Sequence, residues 1–299
     1  MKGTGFMRVA SRSQLLFLAD KIKTNFPYSF TMYNNLLLHG RGHCRSNNFY
    51  VLSNAPESHV LMWQRTDRIS QIGVFCQEHE VDLLTKTLRE TSLVDWKRPL
   101  KVLHVPDYLL GPLQVLAEDL GNSLVTRTYQ VFTYSPHLDP EPLRCGPGLR
   151  LARLGKAGVQ RLLETSRDNR NDPLEPMWRF AQNVPSVGLY TDSNQTKDTL
   201  VDPDNLPFAG DQEIPISWTT TSTYGDLGLA TTDERHRRRG LMSLVIRAAS
   251  RLQGRQGYIP HAHVGCDNLA SFAVATKMLG CAPTHFSTWM TINANAAQN

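Results

Sequence analysis

The chain has 299 residues, 40% of them hydrophobic and 20% charged, enough for two domains with a core each. No apolar run approaches the ~20 residues of a membrane span. Five scattered cysteines without a C-x-x-C pair argue against a disulfide framework or a zinc site, and for a reducing compartment. The formal net charge is +5, and the segment 233–257, with seven Arg and two acids, holds an equal excess, so the basic character belongs to one place. A nucleic-acid binder spreads Lys and Arg over a face to neutralise many phosphates. One compact cluster suits a small polyanion better, and neither a nucleic acid nor a membrane is expected as partner.

Residues 14–26 read as a helix with Leu15, Leu18, Ala19 and Ile22 on one face. Short apolar runs at 30–38, 49–52, 60–63 and 72–75 read as extended segments. A helix over 80–91, a strand over 100–105, a helix around 113–120 and a strand over 125–134 complete the first half. Pro136, Pro140, Pro142, Gly146, Pro147 and Gly148 then interrupt both helix and sheet, which places a domain boundary near residue 140.

After it, 149–154 is strand-like, and 156–165 and 173–182 are helical. Strands are expected at 187–190, 214–220 and 226–231, a helix over 240–253, a strand over 258–264, a helix over 268–279 and a strand over 286–292. The polar, acid-rich stretch 191–212 reads as a long surface loop. Strands alternating with helices predict an α/β (α+β) fold on a mixed sheet. Both halves close on the same order of elements, which leaves an ancient duplication open.

The sharpest constellation is Leu227-Gly-Leu-Ala-Thr-Thr-Asp-Glu-Arg-His-Arg-Arg-Arg-Gly-Leu-Met242, a strand, a short basic loop and the start of an apolar helix. A helix N-terminus presents unpaired N–H groups and about half a positive charge, a ready phosphate site. Gly240 lets an anion approach the backbone, and Arg237, Arg238 and Arg239 add charge-assisted donors. The same run is also compatible with a nuclear-localisation patch or an exposed RNA-binding stretch. The glycine-rich loops of dinucleotide and ATP sites are absent, so pyrophosphate on a strand–loop–helix is the preferred reading.

These residues resemble the GNAT superfamily of N-acyltransferases, whose coenzyme A loop reads [QR]-x-x-G-x-[GA], here from Arg237 through Gly240 to Met242. Val264-Gly-Cys-Asp-Asn268 is similar to that superfamily's next strand, followed by an Asn at the helix start. Ile216-Ser-Trp218, Tyr224-Gly-Asp226, the Arg loop and Trp289 in order resemble the glycine N-acyltransferase and glycine N-acyltransferase-like family. Val94-Asp-Trp-Lys97 is similar to that family's N-terminal domain.

The resemblance implies a GNAT-like mixed sheet flanked by helices in residues 141–299. It also implies an α/β domain in 1–140, a degenerate copy or otherwise, without a cofactor site. It implies acyl-CoA as co-substrate, no metal, and transfer of the acyl group to the amine of a small amino acid, glycine foremost. Pantetheine would lie between the strands 226–231 and 258–264, with Leu229, Ala230, Arg237, Arg238, Arg239, Gly240, Leu241, Met242 and Asn268 as the cofactor-binding residues. Asp226 stands where the family has a Glu base.

Two departures are plain. Met242 replaces a small residue, and the helix 268–279 has no Tyr to protonate the leaving thiolate. A polyamine or protein-lysine acceptor, or a binding module using the Arg cluster without catalysis, are the alternatives. Three acids at the corresponding helix start in the first half, Glu78, Glu80 and Asp82, would repel a pyrophosphate.

His261 and His263 share a strand face, as a metal pair or as packing and cofactor-side groups. Trp218 and Trp289 suit an acyl pocket or a core equally, and Cys266 is a weak candidate nucleophile. Lys2, Arg8 and Arg12 before the first acid, Asp20, give the composition of a mitochondrial transit peptide or of an ordinary first helix in a cytoplasmic protein.

Overall fold

The computed structural model describes residues 5–65, 70–135, 142–166 and 170–294. The chain forms two compact units, residues 1–131 with 284–299, and residues 132–283.

In the first unit the elements run β1 (Phe6–Arg8), α1 (Arg12–Lys21), α2 (Phe30–Gly40), β2 (Asn48–Leu52), β3 (Leu61–Arg65), β4 (Ser70–Phe75), α3 (Val81–Glu90), β5 (Leu100–Pro106), α4 (Asp107–Asp119) and β6 (Asn122–Thr133). Strands β1 to β4 form an antiparallel meander, and β5 joins β4 in parallel through pairs from Ser70↔Leu100 to Gly73↔Leu103. Ile72, Val74, Leu100, Val102, Leu84, Leu88, Leu109 and Leu113 build one core from sheet, α3 and α4. The run 30–38, expected to be extended, is helix α2. Its residues from Met32 to Gly40 are all buried, Asn34, Asn35 and His39 among them, so every face is covered and no period marks the helix.

In the second unit follow β7 (Leu143–Cys145), β8 (Leu149–Arg153), α5 (Lys156–Thr165), α6 (Leu174–Asn183), β9 (Ser186–Thr191), β10 (Thr199–Val201), β11 (Ser217–Thr221), β12 (Leu227–Thr232), α7 (Leu241–Arg255), β13 (His261–Gly265) and α8 (Leu269–Ala273). Strands β8, β9, β11 and β12 form an antiparallel sheet with β12 at one edge. Helix α7 lays Leu241, Val245, Ala248, Ala249 and Leu252 on Leu151, Val187 and Leu189 of that sheet, the i, i+4, i+7 stripe its sequence announces. Strand β13 lies beside the end of β6 that belongs to this unit, where Tyr134 N–H donates to the Pro260 carbonyl at 3.0 Å.

Two further expectations are corrected. The last strand, β14 (Ala282–Ala294), pairs antiparallel with β5 from Ser287↔Pro106 to Ile292↔Leu100, so 141–299 is not one contiguous unit. Trp289, on that strand, packs against His104 and Tyr129 in the first unit. The stretch 191–212 holds β10, which pairs with β7 from Thr199↔Cys145 to Val201↔Leu143. Residue 140, the expected boundary, lies outside the described residues. No helix among the described residues is long and apolar enough to cross a membrane.

Candidate active site

Strands β12 and β13 are consecutive strands joined by α7, yet they belong to different ladders. In a parallel βαβ unit the two would be hydrogen-bonded neighbours; here each stands at the edge of its sheet and no ladder joins them. Strand β12 also carries a bulge. Trp218 pairs with Thr231 and Thr220 with Gly228, so one residue of β11 faces two of β12, Leu229 and Ala230. Leu229 takes the left-handed conformation at φ 54°, which a branched side chain adopts only under constraint. Its side chain packs on the cluster of Leu154, Val159, Leu162 and Trp218, while Ala230 is exposed. Trp218 is fully buried there. The sequence offers no signal for the bulge.

At the far end of β12, Asp233 accepts from Arg235 N–H at 3.2 Å and a short 3-10 turn follows. Arg237 bends back. Its Nε donates to the Thr232 carbonyl at 3.1 Å and its guanidinium stands 3.5 Å from Glu234. Arg238 is left-handed at φ 61° and Gly240 again at φ 75°, so the backbone reverses twice before α7 begins at Leu241. Such alternation makes a concavity of N–H groups, and the helix dipole adds to it. The N–H groups of Leu241 and Met242 meet no acceptor among the described residues.

Gly240 is required for its positive φ, and a Cβ there would meet only Met278 Cε at 3.7 Å. The glycine therefore keeps a surface open; it does not fill a core. Arg238 is exposed without a side-chain partner among the described residues, and Arg239 donates to His236 Nδ1 at 3.2 Å. Of the three arginines expected to serve an anion together, Arg237 is a brace of the loop. Asn268, expected at the cofactor, caps its own helix by accepting from Ser271 N–H at 3.1 Å.

Asp226 lies at the opposite end of β12, directly after Gly225 (φ 94°) in the β11–β12 turn. One carboxylate oxygen accepts from Ser222 Oγ, and the Ser222 N–H donates to the Asp226 carbonyl at 2.8 Å. The other oxygen stands 3.6 Å from His263 Nδ1 on β13. From α7 the buried Gln253 amide donates to Thr221 Oγ1 at 2.9 Å and to the Gly225 carbonyl at 3.4 Å, fixing this turn from behind.

His261 is wholly buried, with Nδ1 2.8 Å from the Ile259 carbonyl. Burial foremost, and His263 next, lower its pKa to about 4, against the raising influence of Asp226. Among the described residues no group of three or more His, Cys, Asp or Glu is arranged to hold a metal. Cys266 is exposed.

A long edge between unpaired strands, closed at one end by a concavity of N–H groups and at the other by a carboxylate, fits an extended molecule with an anionic head. Residues 208–286 match the family model described as FR47-like protein. A solved structure of a Drosophila protein is similar to this chain with a TM-score of 0.76 at 18% identity, over 98% of this chain and 100% of its own. A GCN5-related N-acetyltransferase from Sphaerobacter thermophilus aligns with a TM-score of 0.54 at 11% identity, over 96% of this chain and 95% of that one.

The fold is that of the GCN5-related N-acetyltransferases. A second structure of that description, from Kribbella flavida, aligns with a TM-score of 0.50 at 14% identity, over 90% of this chain and 97% of its own. Comparison with curated proteins finds no significant sequence match. The mixed α/β architecture expected from the sequence, a GNAT-like sheet flanked by helices, is the architecture observed.

Proposed function

We propose that the chain is an acyl-CoA-dependent N-acyltransferase that transfers the acyl group directly to the amine of a small amino acid, glycine foremost. The observation that carries this reading is the separation of β12 from β13, ending on the concavity at Arg238 to Met242. Pyrophosphate would accept from the N–H groups of Leu241 and Met242, with Arg238 and Arg239 as charged neighbours. Pantetheine amides would pair with the free edges of the two strands, and the Leu229–Ala230 bulge would face the thioester end.

An α-amino group has a pKa of about 7.7–8.0, so much of it is protonated at neutral pH and must lose a proton before attack. Asp226 is the group at the cleft that can take it, directly or through one water. The new C–N bond forms as the C–S bond breaks, and the thiolate leaves to be protonated from solvent. A compact basic loop disfavours a polycation, which supports a zwitterionic acceptor over a polyamine. Thiol release measured over a grid of acyl-CoAs against free amino acids, polyamines and a lysine peptide tests the reading. Turnover confined to amino acids is expected; turnover confined to the other amines would overturn the acceptor.

A further inference from the structure

Asp226 has a neighbour that the resemblance does not supply. His263 comes from β13, and its Nδ1 stands 3.6 Å from the carboxylate oxygen that Ser222 does not bond. The His263 side chain is 4% exposed and that of Asp226 12%, so the pair is largely withdrawn from solvent. Asp226, from the turn before β12, faces the ring, as does His261 of the same strand, whose ring centroid is 5.6 Å away.

We propose that His263 is the positioning residue of Asp226, donating from Nδ1 to the carboxylate so that it stays ionised and turned into the cleft. The inference rests on acyl transfer at this site. A carboxylate gains reactivity as a base only when its orientation is fixed, and an N–H donated to its charged form favours that form. Catalytic hydrogen bonds are often long before substrate binds and tighten in the complex, which accommodates a separation of 3.6 Å. The chain's own geometry gives this reason for an aspartate: Ser222 and His263 between them span both oxygens of the shorter side chain.

The experiment compares His263→Ala with His263→Asn, whose amide nitrogen can take the place of Nδ1. For the Ala variant we expect kcat to fall ~10–100-fold with coenzyme A affinity unchanged. The acidic limb of its kcat/KM profile should move about one pH unit upward, because the carboxylate loses a donor to its charged form. The Asn variant should recover most of kcat and return the limb. An Ala variant within threefold of wild type, or an Asn variant as slow as Ala when both bind coenzyme A, would overturn the assignment.

Should no amine turn over at all, the acyltransfer reading fails, and NMR titration still decides the pair. Asp226→Asn should shift the His263 ring signals, and unchanged signals would remove the contact.

Discussion

The two units share the order strand, helix, helix, three strands, helix, strand, helix, with β7 and β10 added in the second, and differ at the pair of strands around the third helix. In the first, β4 and β5 are zipped by four consecutive pairs from Ser70↔Leu100 to Gly73↔Leu103. In the second, the corresponding β12 and β13 share no ladder. At the helix that follows, the first unit places Glu80, whose carboxylate accepts from Gln77 N–H at 3.0 Å and His59 N–H at 2.9 Å. The second places Gly240, with an open surface and free N–H groups beyond it. One helix start is filled by an internal anion, and the other has no such carboxylate in place. A shared plan is thus no guide to a shared site; one gap between strands and one residue at a helix start separate the two.

The sharpest way to break this comparison is Gly240→Glu, which imposes on α7 the carboxylate that α3 already has. It adds a side chain at φ 75° and a negative charge beside the concavity. Coenzyme A binding should disappear by calorimetry, while the fold, tested by circular dichroism, persists because nothing packs tightly on that site. Undiminished binding would remove the loop from the phosphate site. A folded protein lacking Glu80 tests the converse. Glu80→Gln should leave coenzyme A affinity unchanged, since the first unit is proposed to have no cofactor site.

Next in size is Asp226→Asn. A residue that only capped the turn would survive the change, because Asn also accepts from Ser222 Oγ. A base would lose ~10²–10⁴ in turnover with coenzyme A binding intact. Near-normal thiol release by the Asn variant at neutral pH would take Asp226 out of the mechanism and leave it a turn residue.

How these features read in the sequence depends on whether they are local. The Arg loop, Gly240 and the apolar stripe of α7 lie within one segment, and the strand–loop–helix they form was legible. The acids at 78, 80 and 82 were legible as a closed helix start for the same reason. Helix α2 was not, because burial on all sides erases the period. The return of β14 to β5 was not, because pairing partners about 190 residues apart leave no mark in local pattern. The Asp226–His263 contact belongs to this second kind: each residue stood out alone, and only the packing of β12 against β13 joins them. Arg237, Arg238 and Arg239 looked equivalent as letters, yet the reversal at Arg238 sends them to different work.

A third test uses acid. His261 has a pKa of about 4 in the fold, against an ordinary 6.5, with burial as the main cause. The unfolded chain therefore takes up the proton first as pH falls. The associated stability is fully present above about pH 6.5 and is lost progressively towards pH 4, about 3 kcal/mol at the limit. Urea unfolding at a series of pH values should show this slope in wild type and a flatter one in His261→Phe. Equal slopes would show that the imidazole already protonates at its ordinary pH in the fold. The loss should be felt first in the second unit, since His261 lies in β13 and its unfolding would open the cleft.

The smallest expected effects separate two adjacent arginines. Arg238 has an exposed guanidinium free to meet an anion, and Arg238→Ala should weaken coenzyme A binding ~10–100-fold, the worth of one hydrogen bond to a charged group. That loss should shrink as salt rises, because the contact is solvent-exposed. Arg237 has no such freedom, being held by the Thr232 carbonyl and Glu234. Arg237→Ala should therefore act by loosening the loop, with a weaker fall in affinity and little salt dependence. Arg237→Lys should not restore the brace, because an ammonium cannot keep the geometry that Nε donates from. Calorimetry of the three variants at two salt concentrations decides the matter. If Arg237→Ala shows the larger and more salt-sensitive loss, then Arg237 leaves its brace to bind the anion, and the loop reorganises when the ligand arrives.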